Sequence, residues 1–442
     1  MKKLFFGWLG LTLLMATVLP AQESLLRSGP MLGYSEMKEV MLWVQTTTAA
    51  EVQIAYWPQE DPAARRLTAA VQTTKEEAFT AHLIADEVEP GARYDYQVLV
   101  NGTALELPYP TTFQTQELWQ WRTDPPTFRF AMGSCNYVNE TAFDRPGQPY
   151  GSDHQIFSAI YQQQPDMMLW LGDNVYLREV DWYSRTGILH RYTHTRSLPE
   201  LQPLLASTHH YAVWDDHDYG PDNSDRSFVH KDQTLDAFKL FWGNPTYGLE
   251  PGAGITTMFQ WADCDFFLLD DRWFRSPNER VTGDRTMLGQ QQLEWLIDAL
   301  VASRANFKFV ALGNQLLNDS PRFENYIKHF EEERAYLLRR LEEENLRNVV
   351  FLTGDRHRTE LSLLVTEGGL EYYDLTVSPF TAGVATPVDG DVNSLRVEGT
   401  LLYQHNFAVL EVSGPYGRRL LSIRVFNADG EEQWRYQIGQ RK

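Results

Sequence analysis

The sequence predicts an α/β domain preceded by a small all-β domain, and three observations carry that expectation. Four short apolar runs each end abruptly on residues suited to metal binding. From Phe128 onward strand-like runs alternate with helix-like periods, as they do in sheets flanked by helices. Before Phe128 the strands come at short spacing with turn signals between them, the pattern of a small sandwich of the fibronectin or immunoglobulin kind.

The all-β portion is assigned to residues 22–122. Val40-Met41-Leu42-Trp43-Val44, Val52-Gln53-Ile54-Ala55-Tyr56 and Tyr94-Asp95-Tyr96-Gln97-Val98-Leu99-Val100 read as strands, and Asn101-Gly102 after the last is a hairpin signal. Trp119 to Thr127, with Asp124-Pro125-Pro126 inside it, reads as a linker. The second domain, 123–442, contains the α/β portion and a strand-like tail from Leu401 to Ile438, with Asn427-Ala428-Asp429-Gly430 as a turn. Helices are expected over Asp153–Gln164, over Leu288–Ser303 with Leu293, Leu296, Ile297 and Leu300 on one face, and over Glu324–Leu346. The Glu runs of the last helix read as a solvated face.

Residues 1–21 form a separate unit. Lys2-Lys3, an apolar stretch from Leu4 to Val18 and then Leu19-Pro20-Ala21 fit a secretory signal peptide. An exported enzyme, periplasmic or secreted, with no transmembrane segment in the mature chain, is the expectation; a retained N-terminal anchor is the alternative.

The chain has 442 residues, room for two or three domains, and its 43% hydrophobic and 13% aromatic content excludes a disordered protein. A net charge of −20 opposes a nucleic-acid-binding platform and anionic membranes. It leaves small phosphate esters open as substrates, provided local cations such as metals receive them. Of the two cysteines, Cys135 sits at a strand end where a ligand belongs, and Cys264 lies in the apolar strand-like stretch Trp261 to Leu269, where a small buried thiol is ordinary. An exported protein could also join them in a disulfide.

The four apolar runs carry the chemistry. Phe130-Ala131-Met132 leads into Gly133-Ser134-Cys135, and Met167 to Leu171 leads into Gly172-Asp173-Asn174-Val175-Tyr176. Tyr211 to Trp214 ends on Asp215-Asp216-His217-Asp218, and Val349 to Leu352 on Thr353-Gly354-Asp355-Arg356-His357. Ligands of open α/β sheets sit at the carboxyl ends of strands, so these runs would bring Cys, Asp, Tyr and His together. Asp173 and Tyr176 would face one way if the chain turns helical after the strand. Four ionisable groups in Asp215 to Asp218 repel one another unless a cation holds them. His190, His194, His209 and His210 are expected to be surface or packing residues. Arg272 and Arg275 could either clamp phosphate oxygens or pair with Asp270 and Asp271.

As a set, and in this order, the segments resemble the PhoD-like alkaline phosphatases of the calcineurin-like metallophosphoesterase superfamily. Asp271-Arg272-Trp273-Phe274-Arg275 and Leu288-Gly289 leading to Gln292-Leu293-Glu294-Trp295-Leu296 also match. The resemblance implies a four-layer α-β-β-α sandwich. It further implies ferric iron held by Cys135, Asp173 and Tyr176, calcium nearby sharing Asp173, and ligands from Asp216, Asp355 and His357. Zinc or manganese also suits such donors. Catalytic roles fall to His217, which would meet the leaving group, with Asp216 and Arg272 beside it. The chain departs from the family pattern after Asp-Asp-His, where Asp218-Tyr219-Gly220-Pro221-Asp222-Asn223 replaces the commoner Glu. It also departs at the C-terminus, which ends in strand-like sequence with no evident lid helix.

The activity implied is hydrolysis of phosphate esters by a metal-activated hydroxide, of the alkaline phosphatase or phosphodiesterase type. A phospholipase D-like phosphodiesterase is the alternative, since one dimetal core serves both. A noncatalytic surface-binding protein with a structural metal site is the remote one.

Overall fold

The computed structural model describes residues 25–320 and 322–440; the signal-peptide expectation for residues 1–21 lies outside them. Two sheets face each other. Among the described residues the first has nine strands, in the spatial order Glu432–Gly439, Leu420–Asn427, Asn406–Ser413, Phe128–Gly133, Met167–Leu171, His209–Val213, Leu26–Ser35, Val40–Thr46 and Thr80–Ala85. The second has six, in the order Thr257–Trp261, Cys264–Leu268, Phe307–Ala311, Val349–Thr353, Glu371–Thr376 and Glu360–Val365. The strands that carry the four motifs are parallel within each sheet. Phe128–Gly133, Met167–Leu171 and His209–Val213 run together in one, and Phe307–Ala311, Val349–Thr353 and Glu371–Thr376 in the other.

Side-chain alternation decides what each face meets. In the second sheet Phe266, Leu268, Phe309, Val350 and Leu352 join the core shared with the first sheet. Their neighbours Phe267, Val310, Val349 and Phe351 belong instead to an outer core with Leu293, Leu296, Ile297, Leu337 and Leu341. Those last five come from the helices Gln290–Ala302 and Tyr326–Glu343. The second helix breaks its regular geometry at Phe330. On the first sheet, Phe157 of helix Gln155–Gln162 lies 5.9 Å from Trp170, and Trp242, next to helix Lys231–Phe241, lies 5.5 Å from it. The order is helix, sheet, sheet, helix, as the family resemblance implied.

The N-terminal strands do form a sandwich. Leu42, Val44 and Leu83 pack against Ile54, Tyr56, Tyr96 and Val98, the last four from a small separate sheet centred on Glu51–Pro58 and Arg93–Val100. The boundary drawn at residue 122 is not a break in the hydrogen-bonded structure, however. Leu26–Ser35 pairs in parallel with His209–Val213. Trp43 Nε1 donates to Leu240 O at 2.8 Å, Ser35 N to the Tyr211 hydroxyl at 3.1 Å, and the Tyr96 hydroxyl to Ala206 O at 2.7 Å. One half of the small sandwich is therefore the edge of the large sheet. The C-terminal strands flank the same sheet from the other side, with Asn406–Ser413 antiparallel to Phe128–Gly133. Among the described residues no helix is long and apolar enough to cross a membrane.

Aromatic stacking fills the space between the sheets. Phe266 stacks on Phe259 at 4.7 Å and on Phe309 at 4.8 Å, and Phe130 meets it edge-on at 5.3 Å from the opposite sheet. Phe266→Ala should lower unfolding free energy by about 3–5 kcal/mol, read as an earlier denaturant midpoint with little change in slope. A loss below about 1 kcal/mol would mean that this stack does not join the layers.

Candidate functional site

The motifs converge because parallel strands of both sheets end at the same edge and the chain must turn there sharply. The turns use the left-handed region, where residues other than glycine are uncommon. Cys135 (φ 60°), Asp173 (φ 52°), Asp355 (φ 66°) and His357 (φ 52°) all adopt it. Strain of this kind concentrates at functional sites. Asp173 lies in an irregular turn, not in the helical turn considered above. Gly172 before it is at φ 88°, and a Cβ there would stand 2.6 Å from Asp215 Cβ. That close approach brings the second and third motifs together.

One half of the site is built on Cys135, Asp173, Tyr176 and His357. The Tyr176 hydroxyl donates to Asp173 Oδ2 at 2.9 Å and lies 3.2 Å from His357 Nε2, while Cys135 Sγ is 3.6 Å from the same Asp173 oxygen. Donor atoms of Cys135, Asp173 and His357 lie within 4.8 Å of one another. His357 Nδ1 faces the carbonyl of Gly383. A carbonyl only accepts, so Nδ1 carries the proton and the Nε2 lone pair is left toward the site. Ser378 Oγ donates to Cys135 Sγ at 3.1 Å. Burial, and then the charge of Asp355, push the Cys135 thiol up to about 12. Burial followed by Asp173 pushes the Tyr176 phenol well above its ordinary value.

The other half is Asp173, Asp216 and His217, whose donor atoms form a second cluster within 4.8 Å. His217 N donates to Asp173 Oδ1 at 3.3 Å, and the imidazole stacks on the Tyr176 ring with centroids 4.2 Å apart. Its Nε2 is 3.7 Å from Asp222 and 4.0 Å from Asp216. Burial lowers its pKa, against the pull of Asp216 and Asp222. Burial raises Asp173 far above the usual carboxylate range, and Asp216, Cys135, Asp218 and Asp355 push it further. Burial and then Glu324 hold Asp355 up at about 7. Burial opposes ionisation of Asp216 too, but His217, Arg272 and the Asn223 amide outweigh it and keep that carboxyl low. The site thus gathers more acidic groups than its own cations balance. The donor types, thiol, phenol, imidazole and carboxylate, fit metal ions.

Not every acid of the third motif belongs to this cluster. Asp218 accepts from Asn174 N at 3.0 Å, Val175 N at 3.2 Å and Asp215 N at 3.0 Å, tying two loops together. Asp215 meets Arg272 at 2.5 Å. Arg272 is wholly buried, and it also reaches Glu324 at 3.3 Å and Asp216 at 3.8 Å. Burial opposes its charge, yet Asp215, Glu324 and Asp216 raise its pKa well above the ordinary value. Arg275 is equally buried and bonded to Glu324 and Asn314. Neither guanidinium reaches the open face as a phosphate clamp would; both are paired, but mainly with Asp215 and Glu324, and of the Asp270 and Asp271 considered from sequence only Asp271 comes within 4.0 Å of a guanidinium, that of Arg272. Both cysteines are unpaired and buried. His209 and His210 are buried strand residues pushed down to about 4 and about 3 by burial, and His190 pairs with Glu140 at the surface.

Several site neighbours were not singled out from sequence. Ser378, Tyr150 (hydroxyl 3.3 Å from His357 Nδ1) and Glu324 are among them. So is Gly313, where a Cβ would stand 2.4 Å from the Asp215 carboxyl carbon. Phe309-Val310-Ala311-Leu312 ending on Gly313-Asn314 repeats the signal of an apolar run stopping on polar residues, whereas the strand before Ser378 is interrupted by Asp374 and Thr376 and does not. Glu324 carries no such local mark.

The PhoD-like phosphatase family model matches residues 130–394, and the model of a domain of unknown function (DUF7800) matches residues 23–118. Alkaline phosphatase D of Bacillus subtilis (strain 168) is 24% identical over 338 residues, covering 65% of this chain and 54% of that protein. The chain therefore spans about half the length of that curated relative. The structure of PhoD superimposes with a TM-score of 0.76 at 16% identity, covering 96% of this chain and 94% of the other. The purple acid phosphatase PPD1 from yellow lupin (Lupinus luteus) seeds gives a TM-score of 0.67 at 12% identity, covering 93% and 74%. Both share the fold.

Removing the Arg272 charge should act on folding before it acts on phosphate binding. Arg272→Met leaves Asp215 buried without its partner, while Glu324 keeps Arg275, and should cost about 3–5 kcal/mol of stability, measured by denaturant unfolding. Unchanged stability with weakened inhibition by inorganic phosphate would instead make Arg272 a ligand-binding group.

Proposed function

This chain belongs to the PhoD-like phosphatase family, and we propose that it hydrolyses phosphate esters at the cluster of Cys135, Asp173, Tyr176, Asp216, Asp355 and His357, with metal ions as cofactors. The observation that carries this reading is geometric: donor atoms of Cys135, Asp173 and His357, and of Asp173, Asp216 and His217, lie within 4.8 Å of one another in two clusters that share the buried Asp173. Ionising such a set without cations is prohibitively costly, and the ionised forms are the ones that bind metal. Ferric iron on Cys135, Asp173, Tyr176 and His357 suits the phenol and thiol donors, and calcium suits the carboxylates of Asp173, Asp216 and Asp355; zinc and manganese are the competing occupants. Cations bound there would lower the pKa of water and stabilise charge on the phosphate oxygens.

The chain's own groups perform the rest. Gly383 O holds the His357 tautomer that presents Nε2. Arg272 keeps Asp215 and Asp216 in place. His217 borders an open cleft of about 350 Å³; burial lowers its pKa, and Asp216 and Asp222 beside it oppose that lowering. His217 would donate its Nε2 proton to the leaving oxygen. A noncatalytic structural site is less well supported, because a structural shell is closed and this one opens on that cleft. Export from the cytoplasm is proposed from residues 1–21 alone.

The test is turnover of a chromogenic phosphate ester with and without a chelator. Tyr176→Phe should abolish any visible charge-transfer band of the purified enzyme; a colourless, fully active protein containing only zinc would overturn the iron assignment. Asp173→Asn should lose metal and activity together for every substrate.

His217→Asn should behave differently. Turnover should fall by about 10²–10⁴-fold while metal content stays largely intact. The deficit should shrink for esters of acidic leaving groups such as nitrophenolate, which depart without a proton. Equal deficits for good and poor leaving groups, or loss of metal, would make His217 a ligand or an orienting residue.

A further inference from the structure

We infer that the alcohol released by this enzyme is uncharged and carries a flat aromatic ring, and that Trp182 with Tyr150 and Tyr137 selects it. This rests on the hydrolytic reading above and deepens it. The leaving oxygen has to come within hydrogen-bond reach of its proton donor. The group attached to that oxygen then occupies the space onto which His217 opens, and that space is the cleft of about 350 Å³.

Its walls are aromatic. The Tyr176 ring, stacked on His217, lies 5.1 Å from Tyr137, and Tyr137 meets Tyr150 edge-on at 4.9 Å; Trp182 lines the same cleft. The wall is also firmly held. The Arg178 guanidinium covers the Tyr137 ring at 3.8 Å and is bonded to Asp144 at 2.9 Å and to Val138 O at 2.7 Å. Trp182 Nε1 donates to Leu177 O at 3.1 Å, so its ring is oriented without a ligand. Rings fixed in this way present π faces that favour stacked or edge-on partners.

The charges around the cleft argue against an anionic leaving group. Arg178 is committed to Asp144, and Arg145 at the mouth lies 3.7 Å from Glu179. Asp222, exposed and 3.7 Å from His217 Nε2, adds a further acid to the same wall. A carboxylate or second phosphate on the alcohol would meet Asp222 and Glu179, and the solvent-exposed Arg145, shared with Glu179, offsets little of that repulsion.

The experiment compares benzyl phosphate with cyclohexylmethyl phosphate, which match in size and differ in flatness, and with 4-carboxybenzyl phosphate, using the metal-replete native enzyme. We expect kcat/KM for the benzyl ester to exceed that of the cyclohexyl ester by about tenfold, the ratio that one aromatic contact of about 1.4 kcal/mol produces. The carboxylated ester should lose most of that advantage. Trp182→Ala should bring the benzyl-to-cyclohexylmethyl ratio close to one, and Trp182→Phe should keep it. A nucleoside 5′-phosphate against ribose 5-phosphate tells a nucleobase from a simple aryl group; a preference in either pair supports the inference. Ratios near one in both pairs, with all esters hydrolysed, overturn it and leave the hydrolytic reading standing. A ratio unmoved by Trp182→Ala and by Tyr150→Leu overturns the assignment of the selecting residues. Failure to hydrolyse any ester removes the hydrolytic reading and this inference together.

Discussion

The constraint on which this structure depends is the cost of putting several acids in one buried place. Asp173 sits under the edge of two sheets with Asp216, Cys135, Asp218 and Asp355 around it, and burial, reinforced by these neighbours, drives its carboxyl far upward. The fold manages part of that cost with its own groups. Asp218 is given three backbone amides, Asp215 is given Arg272, and Asp216 is given His217, Arg272 and the Asn223 amide. What stays uncompensated is Asp173 with Cys135, Tyr176 and Asp355, and a bound cation is the natural counter-charge for that remainder. Asp215 and Asp218 hold loops together, whereas Asp216, although compensated by the chain, faces the site beside Asp173.

The supporting architecture follows from that division. Arg272 and Arg275 are wholly buried and share Glu324, so the turn after Cys264–Leu268 and the start of the Tyr326–Glu343 helix are joined through charge. Such pairs contribute little beyond what an apolar contact would, but breaking one strands its partner. Small residues let the turns approach: Gly172 and Gly313 both abut Asp215. The left-handed backbone at Cys135, Asp173, Asp355 and His357 is tolerated because strands of both sheets anchor the chain immediately before each turn.

Much of this was legible in the chain itself. The apolar runs at Phe128, Met167, Tyr211 and Val349 are strands within a few residues of their expected limits, and the helices expected from Asp153, Leu288 and Glu324 are present. Runs this apolar have few alternatives to a buried strand. The convergence of Cys135, Asp173, Tyr176, Asp216 and His357 was equally legible, since ligands at parallel strand ends must share an edge. The separateness of the first domain was not. The alternating strands Leu26–Ser35 and Val40–Thr46 look alike whether they close a sandwich or extend a larger sheet, because pairing partners lie far away in sequence.

By itself, then, the sequence determined which side chains stand at the strand ends and which chemistry they can perform, because residue type and apolar periodicity are local properties. Tertiary structure alone decided their allocation. Asp215, Asp216 and Asp218 are chemically the same residue within four positions, yet one is paired with an arginine, one faces the site and one staples two loops. Arg272 became a buried counter-charge when its sequence context equally suited a phosphate clamp. Partner and burial set the pKa and role of an ionisable group, and both arise only when segments tens to hundreds of residues apart pack against one another.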